Sequence, residues 1–239
     1  MPVTDIANGC FRSSSNYASL TARALDAELD DRSCGAAEVR DLFRSQLPGV
    51  PPQLDALNPE VDLVTLGMGG NDEGVFSQLV NRCPQLRALD PAGTPCRDAM
   101  RADGGDDGDV LLASLERTRA RLTTALERIH RRAPGAEVLV VGYPQIVDAD
   151  NVCARLPMAR GDFAYAEKIN LALTEALRGA AEATGSGYVD LWDEGHDICS
   201  DDPWVNGSVT DQRRAAAYHP FAEGQAAVAE RVVAALQQD

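Results

Sequence analysis

The sequence predicts an α/β fold, a parallel β-sheet covered by helices on both faces. Three observations carry this. Residues 61–66 (VDLVTL) and 137–143 (EVLVVGY) are short apolar runs of strand length, as expected for strands buried on both sides. Residues 110–132 and 163–183 are longer stretches with apolar positions at helical spacing. Strands alternating with helices imply parallel pairing. At 239 residues and 44% hydrophobic content, the chain can bury a full core, and residues 1–239 are read as one domain.

In chain order, residues 15–29 read as a helix with Tyr17, Leu20, Ala24 and Leu25 on one face and Ser14 or Ser15 as its N-cap. A short strand is expected to follow, ending near Ser33. The run 61–66 is closed by Gly67. Residues 91–109, which include GGDDGD, read as a solvated excursion. The helix 110–132 has a buried stripe of Leu111, Leu115, Leu122, Leu126 and Ile129, and Pro134-Gly135 stops it. After the strand 137–143 come the helix 163–183, a short strand at 188–191 and a closing helix at 221–236.

The formal net charge of −15 repels phosphate backbones, so nucleic acid is not an expected partner. No apolar run approaches the roughly 20 residues that span a bilayer, so no transmembrane segment is expected. The start MPVTDIANGC has neither a charged region nor an apolar core, so it does not read as a signal peptide. Six cysteines are present: Cys10, Cys34, Cys83, Cys96, Cys153 and Cys199. Their spacing contains no CxxC pair, which argues against a zinc ribbon. An even count allows a disulfide framework, and chain order suggests Cys10–Cys34, Cys83–Cys96 and Cys153–Cys199. The alternative is six buried thiols in a cytosolic protein.

In parallel sheets, sites form beyond the carboxyl ends of the strands. Three constellations fall there. The first is Leu66-Gly67-Met68-Gly69-Gly70-Asn71-Asp72: glycines permit a sharp turn, and an asparagine side chain can aim its N–H at a developing oxyanion. A plain glycine turn is the alternative. The second is Ser33-Cys34-Gly35, where the glycine N–H is a candidate oxyanion donor and a disulfide-anchored loop is the alternative. The third is Tyr218-His219-Pro220. Of the three histidines, His219 is the candidate general base, because proline and the following helix pin its backbone. His130, near the end of an arginine-rich helix, reads as a solvated residue suited to the helix dipole, and His196 reads as structural.

Together, Gly35, Gly69-Gly70-Asn71-Asp72 and His219-Pro220 resemble the last three of the four marked blocks of the SGNH hydrolases, also called the GDSL family. The likeness is to the secreted bacterial esterase and lipase branch. It extends to Cys10, Asn16-Tyr17, Val50-Pro51-Pro52-Gln53, Val141-Gly142-Tyr143-Pro144, and Cys199 with Pro203-Trp204. The resemblance implies a three-layer α/β/α, flavodoxin-like fold and a Ser–His acyl-enzyme mechanism acting on a small-molecule or lipid ester. His219 is then the base, Gly35 and Asn71 are oxyanion donors, and Gly70 and Asp72 are supporting residues. It implies no cofactor, no metal, a monomer and a secreted protein.

Two departures from the family pattern matter. No GDS triplet, the block that carries the nucleophilic serine, occurs in the sequence, nor does the strand it would close. The chain is therefore expected to begin late relative to the family, at an internal methionine, and to lack the serine. The position three before His219 is Ala216 where the family has aspartate, so the Ala216 carbonyl is expected to orient the ring. Two competing expectations are a catalytically inactive SGNH-like protein that binds an acyl or glycan ligand, and a cytosolic flavodoxin-like module with reduced cysteines.

Overall fold

The computed structural model describes residues 4–237. Its core is a parallel sheet of β1 (Leu63–Leu66), β2 (Glu137–Val141) and β3 (Gly187–Val189), in the order β1-β2-β3. Leu63 lies opposite Glu137, and Val140 lies opposite both Leu66 and Tyr188. The central strand shows how the layers arise. Side chains alternate along a strand. Val138 and Val140 pack into one apolar cluster, while Leu139 and Val141 pack into another on the opposite face.

The first cluster is formed with α5 (Val110–Arg132) and α6 (Asp162–Thr184). The α5 stripe is the predicted one, with Leu111, Leu115, Leu122, Leu126 and Ile129 all buried. The Asp109 carboxylate caps its start by accepting the N–H groups of Leu111 and Leu112. The second cluster is formed with α1 (Tyr17–Leu25) and α7 (Ala222–Ala235), which contributes Val228 and Val232. No helix among the described residues is long and apolar enough to cross a membrane.

Several expectations are corrected. The N-cap of α1 is Asn16, whose side chain accepts the Ser19 N–H at 2.8 Å, and not Ser14 or Ser15. The helix ends at Leu25, because Asp26 turns left-handed (φ 51°) and returns its N–H to the last turn. Ala24 and Leu25 are exposed, and Thr21 is the buried residue of the helix. No strand ends near Ser33. There the Asp31 carboxylate accepts the Ser33 N–H and Asp30 binds Arg32, so side chains take the bonds that a ladder would use.

Between β1 and α5 a broken helical stretch runs from α2 (Val75–Ser77) through the π-helical Gln78–Arg82 to α3 (Cys83–Leu86). The stretch read as a solvated excursion contains α4 (Pro95–Gly104). Its Cys96 and Met100, one turn apart, are fully buried. The buried Asp162 carboxylate accepts the N–H groups of Cys96 and Arg97 at its start. The disulfides join Cys10 to Cys34, Cys83 to Cys96 and Cys153 to Cys199, the pairing that chain order suggests.

Candidate active site at the carboxyl ends of the strands

Beyond β1 the chain turns through Gly69 (φ 135°), where a Cβ would come within 3.3 Å of Leu177 and Thr118. Only glycine suits this position, and the turn delivers Gly70 and Asn71 to the strand ends. Gly70 is held from both sides: its N–H donates to the Tyr143 hydroxyl (3.2 Å), and its carbonyl accepts the Phe76 N–H (3.1 Å). The Asn71 side chain is exposed and donates one N–H to the Ala37 carbonyl at 3.2 Å.

Asp72 points the other way. It is 1% exposed, and one carboxylate oxygen accepts the Val39 N–H at 3.0 Å. The other oxygen has no hydrogen bond and lies 3.9 Å from Arg121. Burial is the main cause that pushes its pKa up to about 6, against the lowering effect of the Val39 N–H. Asn71 and Asp72 together clip the loop at residues 37–39 to the turn. Next to them Glu73 (φ 52°) is paired with Arg117 and Arg121 of α5.

His219 is exposed, and its backbone is fixed by its own turn and by the facing segment. Its N–H donates to the Ala216 carbonyl (3.1 Å), its carbonyl accepts the Asn206 N–H (2.9 Å), and Val205 bridges to Pro220. Tyr218 has a left-handed backbone (φ 58°), and its ring meets Phe76 edge to face at 6.1 Å. This twist turns the Ala217 carbonyl toward the ring, and the imidazole Nδ1 lies 2.7 Å from it. The orienting carbonyl is therefore that of Ala217 and not that of Ala216, which is occupied by the His219 N–H and the Asn206 amide. A carbonyl can only accept, so Nδ1 carries the proton and Nε2 of the neutral ring presents its lone pair.

Gly35 is placed differently from expectation. Its N–H donates to the Cys10 carbonyl at 2.9 Å, beside the Cys10–Cys34 bridge, and is not free for an oxyanion. Its neighbour Ala36, with φ 60°, lines the cavity instead. His130 is half-buried, with Nε2 2.9 Å from the Ser186 hydroxyl, and is not simply solvated. His196 stacks on Trp204 at 4.2 Å and its Nδ1 lies 2.8 Å from the Asp202 carbonyl.

Asn71, Gly70, Ala36 and His219 all line one cavity of about 390 Å³. Its walls are otherwise mainly apolar, with Phe76 and Leu79 from the broken helix and Ile169 and Leu173 from α6. No serine, threonine or cysteine lines it among the described residues. Sequence reasoning missed Ala36, Ala217 and Tyr143 as parts of this site. Of these, only Tyr143 gave a signal, as the last residue of the run 137–143 and a member of Val141-Gly142-Tyr143-Pro144.

The family model of GDSL-like lipases and acylhydrolases matches residues 3–227. The chain belongs to this family. It is 41% identical over 196 residues to Lipase 2 of Streptomyces coelicolor, covering 80% of this chain and 64% of that protein. It is 31% identical over 214 residues to an esterase of Streptomyces scabiei, covering 77% of this chain and 62% of that protein. The chain thus spans less than two thirds of the length of these relatives. In fold it is similar to an extracellular lipase from Streptomyces rimosus, with a TM-score of 0.74 at 23% identity, covering 97% of this chain and 91% of that one.

Proposed function

We propose that this GDSL-family chain is the body of a carboxylesterase or lipase that works by a Ser–His acyl-enzyme mechanism, and that its nucleophilic serine is not among these 239 residues. The observation that carries the proposal is the convergence of an oriented imidazole and the Asn71 amide on one apolar cavity. A serine attacking an ester carbonyl needs a base for its proton. His219 Nε2 supplies it, then returns the proton to the leaving alcohol. The tetrahedral intermediate needs donors for its oxyanion. Asn71 retains one side-chain N–H after its bond to Ala37, and a donor of this kind is worth about 2.7–4 kcal/mol. Asp72 and Gly70 hold the donor in place. The apolar walls suit the acyl part of a small-molecule or lipid ester. Three disulfides favour an oxidising, extracellular setting, and a monomer is proposed.

A second reading is an inactive SGNH-like binding protein. The absence of a serine, threonine or cysteine among the described cavity walls favours it. The two are separated by expressing the full reading frame that contains these residues beside the 239-residue chain. The hydrolase reading expects ester turnover and fluorophosphonate labelling in the full product, abolished by His219→Ala, and neither in the 239-residue chain. A label on a serine within these residues overturns the missing nucleophile, and a full product without turnover supports the binding protein.

A further inference from the structure

Tyr143 stands two residues beyond the end of β2, half-buried in the cavity wall. Its hydroxyl oxygen accepts the Gly70 N–H at 3.2 Å. That bond uses a lone pair and leaves the phenolic hydrogen. Among the described residues, this hydroxyl donates no hydrogen bond. A hydroxyl in a mainly apolar wall with no acceptor of its own is available to an acceptor that enters the cavity. Gly70 makes the arrangement possible, because a Cβ there would lie 3.1 Å from the Tyr143 oxygen. The next residue, Asn71, also has an N–H to spare. Two donors with unspent hydrogens, on neighbouring segments, thus line a cavity whose walls are otherwise mainly apolar.

We propose that the Tyr143 hydroxyl is a substrate-binding donor, which bonds the carbonyl oxygen of an acyl group in this cavity beside the Asn71 amide. This rests on the ester-site reading above and adds a residue to it. The ligand chemistry that fits is one acceptor oxygen at the head of an alkyl chain. Burial, together with the nearby Asp72 carboxylate, holds the phenol above its ordinary pKa, so it remains protonated and able to donate.

The test uses the 239-residue chain and 2-decanone, isotope-labelled at its carbonyl, a hydrolysis-proof stand-in for an ester. The carbonyl stretch of the bound ketone reports its hydrogen bonds. In Tyr143→Phe the band should move toward its position in alkane solvent, and Kd should weaken by about tenfold, the range of one hydrogen bond. Should Tyr143→Phe fold poorly, 3,5-difluorotyrosine at position 143 gives the converse test: a stronger donor should lower the band further. A band unmoved by either change, but shifted by Asn71→Ala, shows that Tyr143 only braces Gly70. The inference is then overturned while the ester site stands. Absence of ketone binding, or a band insensitive to both residues, overturns the ester site and this assignment with it.

Discussion

Asp72 shows what one buried carboxylate costs and what it supports. Its charge is 1% exposed, and only one of its oxygens is hydrogen-bonded. The folded-state pKa of about 6 lies above the ordinary 3.8, so between these values the folded chain binds the proton more tightly than the unfolded one. This group's contribution to stability is therefore greatest below about pH 4, falls as pH rises to about 6 and stays low above. Asp72→Asn keeps an oxygen for the Val39 N–H and removes the charge. It should be more stable than the wild type at pH 7 by about 1–3 kcal/mol, with the difference vanishing near pH 4. Denaturant unfolding of both proteins at the two pH values checks this. A variant less stable at pH 7 would show that Arg121, 3.9 Å away, more than compensates the burial. At this scale His219, Asn71 and Asp72 stood out in the sequence, because each lies in a glycine or proline context. The Ala217 carbonyl and the engaged Gly35 N–H were not, because both depend on backbone direction, which Tyr218 sets with a positive φ and Cys10 sets across a disulfide.

The elements that were legible are those whose own periodicity decides them. The helix α5 begins and ends at the predicted residues, because Asp109 caps it and Pro134-Gly135 follows its end. The misread elements are decided by distant partners. The polar stretch around α4 carries few apolar residues, and its first N–H groups are satisfied by Asp162, more than sixty positions along the chain. Local composition cannot show this bond. The same bond makes a test. Asp162 is fully buried, so Asp162→Ala should leave two N–H groups without partners and cost about 2–4 kcal/mol. Removing the Cys83–Cys96 bridge, which spans 13 residues, should cost about 3 kcal/mol by loop entropy. Both changes loosen the same element, so the double variant should lose less than the sum of the two. Chemical denaturation of the two single changes and the pair measures this, and strict additivity would mean that cap and bridge act on separate units.

On the scale of the whole molecule, the cavity belongs to no single element. Gly70 and Asn71 follow β1, Tyr143 follows β2, His219 precedes α7, and Ala166 and Ile169 face it from α6. Parallel strands bring these segments together because all their carboxyl ends lie on one side. That is why the polar end of the site was legible as a set of motifs, whereas its apolar depth was not: the walls are ordinary core residues until the layers are assembled. If the cavity takes an alkyl chain, affinity for a series of 2-alkanones should rise by up to about 0.8 kcal/mol, or fourfold, per methylene. The gain should stop at the length that fills the cavity, because further methylenes meet packed side chains or return to water. Ala166→Val adds two methyl groups' width to the α6 wall and should move this break to a shorter chain, leaving the short ketones unaffected. Calorimetric titration of the series against both proteins gives the break directly. An affinity that climbs without a break, or a break that Ala166→Val does not move, would place the chain along the surface and not between α6 and the broken helix.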